Sequence, residues 1–386
     1  MKLVLIRLVG INVVILLLGC NIQTPSNLTI TEKIKGKSKD PPIKVALLVP
    51  LESPSKSTSE LAEHIINAAK LAVTDFPESN LQLSVYPTSG IEELAVKAAE
   101  TALKMESQII VGPLFSEETV AVREHLESQD IKIISLSNDP KIAGGGVFVL
   151  GTTFDTISDR LVKFAVRKRL NRIAIVGPAG NIGFNGISSV EKAIEDNGAI
   201  VSTISRYPLE VQGITTVAPS IFKNLVATDT QAIIFTDTPT RGLPFISEQI
   251  YRLFEKNKKS PPQFLGITRW DGAKQMLDEQ SLDGGWFVIP KQIEKNHFYK
   301  RYIEKFGIKP TELSILSYDA IAIISNLVLK SRKVKTVDPF THESFTDAEG
   351  FVTKNGIIRF DSNGTSVRPL DIVQVVSGSY KIIDID

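Results

Sequence analysis

Two doubly wound α/β lobes are expected of this chain on three grounds. From Ile43 onward, short apolar runs of strand length alternate with segments of helical period, the pattern of a parallel sheet covered by helices on both faces. The same alternation starts afresh after Gly151. The length, 386 residues with 42% hydrophobic and 23% charged side chains, suffices for two cores and excludes a disordered, collagen-like or multi-span membrane chain.

Residues 1–19 read as an address. Lys2 and Arg7 form a positive start, and an apolar stretch runs from Leu8 to Leu18 with only Gly10 and Asn12 interrupting it, as in a signal peptide. It is too short to span a hydrocarbon core, which needs about 20 apolar residues. Its end, Leu17-Leu18-Gly19-Cys20, resembles the bacterial lipobox, which implies that Cys20 is lipidated and becomes the mature N-terminus. Cys20 is the only cysteine, so internal disulfides, zinc clusters and redox pairs are excluded. Asn21 follows where an inner-membrane retention signal usually has Asp, so a lipid anchor in the outer membrane, facing the periplasm, is the expected location. Residues 20–42 are polar, with Lys33, Lys35, Lys37 and Lys39 before Pro41-Pro42, and are expected to be a lipidated flexible tether. The lysines read as a solvated linker in preference to a patch for anionic lipid.

In the first lobe, the continuous apolar run 45–49, ended by Pro50, predicts a strand buried on both faces. Hydroxyls at residues 57–59 can cap the next helix, which places Leu61, Ile65, Ala69, Ala72 and Phe76 on one face. Further strands are expected at 81–86, 109–111, 131–135 and 148–150, with helices at 92–103 and 117–127. The second lobe has expected strands at 173–176, 200–205, 232–236, 264–267 and 286–289, with helices at 156–168, 190–197, 219–226 and 245–255. Helices at 298–306 and 314–330 then follow without a strand between them. The chain closes on strands 357–360 and 370–376, expected to form a hairpin about the turn Asp361-Ser362-Asn363-Gly364.

Lys and Arg number 44 against 43 Asp and Glu, a balance with no footprint for a polyphosphate backbone, so no nucleic acid is expected as partner. His64, His125, His297 and His342 are dispersed, without the helical spacing of a zinc site, and neither Gly-x-Ser-x-Gly nor a Walker A sequence occurs. No enzyme, cofactor or metal is therefore expected. Residues 177–183 space their glycines as G-x-x-G-x-x-G, and Pro178 removes a donor, so they read as a plain loop and not as a dinucleotide fingerprint.

Val45-Ala46-Leu47-Leu48-Val49-Pro50-Leu51 opens the body, Ile110-Val111-Gly112-Pro113-Leu114-Phe115-Ser116 ends a strand, and residues 172–177 open the second lobe. Ser317-Tyr318-Asp319-Ala320 and Gly356-Ile357-Ile358-Arg359-Phe360 follow in order. With these landmarks the chain resembles the type I periplasmic binding proteins, the branched-chain amino acid receptor group. Ser137-Asn138-Asp139, Arg269-Trp270-Asp271 and Gly284-Gly285-Trp286-Phe287 resemble, more narrowly, the lipoprotein penicillin-binding protein activators. The resemblance covers residues 43–380 and implies a first lobe of 43–152 plus 291–335, a second of 153–290 plus 336–386, and three crossovers with a ligand cleft between the lobes.

The likeness supplies cleft candidates: Ser53, Ser116, Ser137, Asp139, Thr238 and Arg269. Ser116 is either a helix cap or, as in the amino-acid receptors, a carboxylate site at a helix N-terminus. Asp139 can meet a cation or end the strand in an Asx-turn, and the turn is the preferred reading. Ile182-Gly183 stands where the receptors carry an aromatic residue over the ligand, and Thr268 near their ammonium-binding glutamate. Arg269 either meets a carboxylate such as Asp237 or Asp271 or points to water, and a structural ion pair is preferred to a role with an acidic ligand. The site for a leucine-type zwitterion is thus degraded. An adaptor that stimulates a cell-wall synthase, a penicillin-binding protein, is accordingly expected ahead of the alternative, a solute receptor of an ABC transporter for a small amino-acid-like or acidic ligand.

Overall fold

The computed structural model describes residues 30–32, 41–291, 295–353 and 356–386. Cys20 and the leader lie outside them. In the first lobe β1 (Ile30–Glu32), β2 (Ile43–Val49), β3 (Leu81–Pro87), β4 (Ile109–Val111), β5 (Lys132–Ser135) and β6 (Val147–Val149) form one sheet in the order β1-β3-β2-β4-β5-β6. Strands β2 to β6 pair in parallel, and β1 joins the edge antiparallel to β3. A tether without structure over 20–42 therefore does not hold at Ile30–Glu32, where the open edge of β3 offers the backbone a hydrogen-bonding partner.

Helices α1 (Lys56–Asp75), α2 (Glu92–Lys104) and α3 (Ser116–His125) cover this sheet. The pleat sends Val45, Leu47 and Val49 to one core and Ala46 and Leu48 to the other, which explains the unbroken apolar run. The cap of α1 is Ser55, whose side chain accepts from Thr58 N, slightly earlier than the expected 57–59.

The second lobe starts with α4 (Phe154–Arg167) and continues through β7 (Arg172–Pro178), α5 (Asn181–Asp196), β8 (Ile200–Tyr207), α6 (Val211–Ala227), β9 (Ala232–Phe235), α7 (Leu243–Lys256), β10 (Gln263–Gly266) and β11 (Trp286–Pro290). Helix α5 begins earlier than its apolar period suggested, and the glycine stretch expected as a loop supplies its first turn. Gly183 carries the reason: a Cβ there would stand 2.0 Å from the carbonyl oxygen of Pro178, so only glycine lets the helix start against β7. Helix α6 likewise runs through Pro219, which lies on its exposed side.

The chain returns to the first lobe with α8 (Lys295–Phe306) and α9 (Glu312–Val334). Helix α9 is long and apolar enough to cross a membrane, but 78% of its apolar window is buried inside the protein. It packs on α1 as the central helix of the first core. Then come α10 (His342–Phe345), β12 (Phe351–Thr353), β13 (Gly356–Phe360) and β14 (Ser366–Val367), the strands forming a small antiparallel sheet. Finally β15 (Leu370–Val376) and β16 (Ser379–Asp384) complete the second sheet, β16-β15-β11-β10-β9-β7-β8.

Two expectations fail here. The turn at 361–364 joins β13 to β14, whereas β15 pairs with β11 and β16, so there is no hairpin of 357–360 with 370–376. The assignment of 336–386 to the second lobe also fails. Phe340, Phe345, Phe351, Ile358 and Phe360 share the first lobe's core, with Phe345 stacked on Phe148 at 4.0 Å between ring centroids. Burying these rings outweighs the short connection to β15, and the third crossing falls at Arg368-Pro369.

Candidate functional site

Three crossings run side by side between the lobes. The first follows β6, the second leaves β11 at Pro290, and the third precedes β15. Ser366 Oγ donates to the carbonyl of Leu150 at 3.1 Å, tying the third to the first. Lys291 N donates to Pro369 O at 3.0 Å, tying the second to the third. A Cβ on Gly151 would lie 2.4 Å from the carbonyl oxygen of Ser137, so glycine is what allows the first crossing to pass this close to the loop after β5.

Beside these crossings, between the lobes, lies an open cavity of about 420 Å³. All three contribute to its wall, through Gly151 and Thr152, Val288 and Pro290, and Arg368 and Leu370. Leu61, Phe115, Leu136, Ile157 and Leu316 make most of the rest apolar, and Ser137, Asn138, Arg269 and Glu312 add polar groups. This is the composition of a small-molecule pocket: an apolar wall with a few placed polar atoms.

Arg269 follows β10, and its guanidinium is held on two sides. Nε and Nη2 donate to the two carboxylate oxygens of Asp271 at 2.9 and 2.5 Å, and Nη1 reaches Glu312 Oε2 at 2.7 Å. Glu312 opens α9 in the other lobe and also accepts from the Tyr299 hydroxyl at 2.9 Å, so this ion pair bridges the cleft. Burial opposes the charge of Arg269, yet Asp271 and Glu312 more than offset it and hold the guanidinium above its usual range. The preferred reading of a structural ion pair with Asp271 describes this side chain; Asp237 belongs to another network, accepting from Tyr207 Oη at 2.8 Å and from Thr238 N and Gly242 N.

The other candidates divide. Ser137 is buried in the cavity wall, and its Oγ accepts from Asp139 N at 3.1 Å. Asp139 Oδ1 accepts from Lys141 N at 3.0 Å, the Asx arrangement, and lines a smaller adjacent cavity of about 230 Å³ with Lys141 and Asn185. Ser53, Ser116 and Thr238 line neither cavity. Ser116 is not the cap of α3: Phe115 occupies that position, and the Ser116 hydroxyl donates to Glu117 at 3.0 Å. Ser53 Oγ accepts from Ser55 N at 3.3 Å, and the Thr238 hydroxyl lies 3.3 Å from that of Thr240. Thr268 is satisfied within its lobe by the Asp237 carbonyl at 2.8 Å. The side chain of Ile182 lies outside the described residues.

Sequence reasoning missed Glu312 and Arg368. Glu312 stands 43 residues from Arg269, with no local pattern to connect them. Arg368 was placed away from the hinge because the third crossing was expected near 336. Among the described residues no cluster of three or more metal-ligating side chains occurs.

A family model described as periplasmic binding protein matches residues 42–379. Solved structures agree in fold. A leucine-binding protein from Thermotoga maritima is 18% identical with a TM-score of 0.62, covering 89% of this chain and 98% of that one. A protein described as a putative branched-chain amino acid ABC transporter from Rhodospirillum rubrum is 14% identical with a TM-score of 0.75, covering 89% and 100%. A solute-binding protein from R. palustris, in complex with 4-hydroxybenzoate, is 14% identical with a TM-score of 0.64, covering 90% and 96%. An uncharacterised protein of Rickettsia prowazekii is 28% identical over 135 residues, 35% of this chain, and the match spans only 34% of that relative.

Proposed function

Because the chain belongs to the periplasmic binding protein family, we propose that it is a solute receptor of an ABC transporter that closes its lobes on a small acidic molecule. The observation that carries this reading is the apolar cavity of about 420 Å³ bounded by all three crossings. A receptor needs a site both lobes contribute to, since a ligand shifts the lobes only if it binds their closed arrangement more tightly. The comparisons support a receptor better than the adaptor expected from the sequence, and the narrower likeness to activators of a cell-wall synthase gains no support from them.

The chemistry of the wall argues against a branched-chain amino acid. An ammonium group needs an anionic partner, and the one carboxylate in the wall among the described residues, Glu312, is engaged by Arg269 and Tyr299. Thr268, near the position of the receptors' glutamate, offers only a hydroxyl that already donates to a backbone carbonyl.

Calorimetry on the purified full chain tests the reading, with leucine, isoleucine and valine set against small monocarboxylates. Micromolar binding of an acid and none of the three amino acids is the expected result. Absence of any small-molecule binding, together with retention of a cell-wall synthase in a capture experiment, would return the protein to the adaptor class. Cys20 is proposed as the lipid anchor on the lipobox-like stretch alone. Cys20→Ala should accumulate an unprocessed precursor that takes up no palmitate analogue, and equal labelling of the variant would sink the anchor.

A further inference from the structure

The cavity wall contains one guanidinium that the fold does not fully use. Arg368 lies in the third crossing, is only 3% exposed, and lines the cavity. Its Nη2 donates to the carbonyl of Leu150 in the first crossing, and its Nε has no hydrogen-bond partner. A buried N–H of a charged group without an acceptor is costly, and native structures rarely leave one so. Arg269, by contrast, is held by Asp271 and Glu312. Of the two arginines in the wall, Arg368 is the one with a buried nitrogen that has no acceptor.

We infer that the Arg368 guanidinium receives the carboxylate of the ligand, and that the pocket therefore selects monocarboxylates with an apolar body and no ammonium group. The inference rests on the receptor reading and deepens it. Ser137 supports the same end of the cavity. Its peptide carbonyl holds Gly151 N at 3.0 Å, one residue from the carbonyl that holds Arg368, and its hydroxyl, which accepts from Asp139 N, still has a hydrogen to donate. The apolar residues of the wall, among them Leu61, Phe115, Ile157 and Leu316, suit a branched or aromatic hydrocarbon body. Burial presses the Arg368 guanidinium below its usual range, with the charge of Asp319 on α9 opposing, and a bound carboxylate adds a second opposing charge.

The test compares acids with their amides, which keep shape and remove charge. The purified full chain is titrated with 4-methylpentanoate and 4-hydroxybenzoate, with the corresponding amides, and with leucine, which carries an ammonium beside its carboxylate. At least one acid should bind ten-fold or more tightly than its amide and than leucine. Arg368→Gln should abolish the preference for acid over amide while leaving amide binding measurable, and Arg368→Lys should restore part of it. Retained amide binding shows that the pocket of the variant is intact. If Arg368→Gln fails to fold, the wild-type acid-to-amide ratio and the Lys variant decide. Equal binding of acid and amide by the wild type, or an unchanged ratio in the variant, overturns the role of Arg368 and leaves the receptor standing. A variant that only loses stability, with its ratio unchanged, makes Arg368 a structural partner of Asp319. No binding of any of these compounds overturns the ligand class, and if the wider amino-acid and acid panel is also silent the receptor reading falls with it.

Discussion

Glu118 occupies the first turn of α3 with only 1% of its surface exposed, and neither carboxylate oxygen has a well-formed hydrogen bond. Burial pushes its pKa up, and the nearby Thr88 hydroxyl and Phe115 N–H only partly oppose this. A carboxyl whose folded pKa is raised binds more protons in the native state, so its ionisation subtracts stability as pH rises above the unfolded value of about 4.3. Glu118→Gln should raise Tm at pH 7 by about 2–4 °C, and the gain should vanish near pH 4. Thermal unfolding of both proteins across that range checks the sign. At this scale the sequence was legible where partners are close in the chain: Asp271 beside Arg269, and the Asx-turn of Asp139 with Lys141 N. It was not legible where a partner is set by packing. Ser116 looked like a cap because hydroxyls usually fill that position, but the extended backbone at Phe115, ψ 146°, makes that residue the boundary.

The elements were read well where their apolar period is continuous. The run at Ile109–Val111 became β4 with the expected bounds, and the start of α2 at Glu92 also matched. The last strand, β16, was missed because Ser379–Asp384 is an edge strand with no fully buried residue, and Tyr380, Ile382 and Ile383 are too few to make a continuous apolar run. Side chains fix it in place instead. Arg160 Nη2 meets Asp384 at 2.6 Å, and Arg167 reaches the same carboxylate oxygen, so α4 clamps the end of the chain. Burial raises the Asp384 pKa, but the hydrogen bond and charge of Arg160 and the charge of Arg167 outweigh it and leave the group lowered. A lowered carboxyl contributes stability above the unfolded value of about 3.9 and loses it as pH falls through the folded value. Asp384→Asn should therefore cost about 1–3 kcal/mol at pH 7, and the difference from wild type should fade in acid. Denaturant titrations at pH 7 and pH 3 measure it.

On the scale of the molecule, polar ties among the described residues cross the cleft from Arg269 to Glu312 and from Lys141 Nζ to Asn185 Oδ1 at 3.1 Å. Glu312→Gln removes the charged one while keeping the side chain's size. The variant should sample open lobes more, seen as a larger radius of gyration in small-angle scattering without ligand, and unchanged scattering would show that the tie does not set the angle between the lobes. The two-lobe architecture was legible because the strand–helix alternation repeats. The path of the third crossing was not, because five aromatic and aliphatic residues beyond α9 are drawn to the first core by burial alone, with no periodic signal.

That path has a consequence for how the chain comes into being. The first lobe lacks part of its core until Phe345, Phe351 and Phe360 have been synthesised, and the second sheet lacks β15 and β16 until residue 384. Neither half can therefore finish folding while the ribosome is still at work on the middle of the chain. The pieces that close both lobes lie between Phe340 and Asp384, so a growing chain keeps two unfinished cores and stays slack until those residues have emerged.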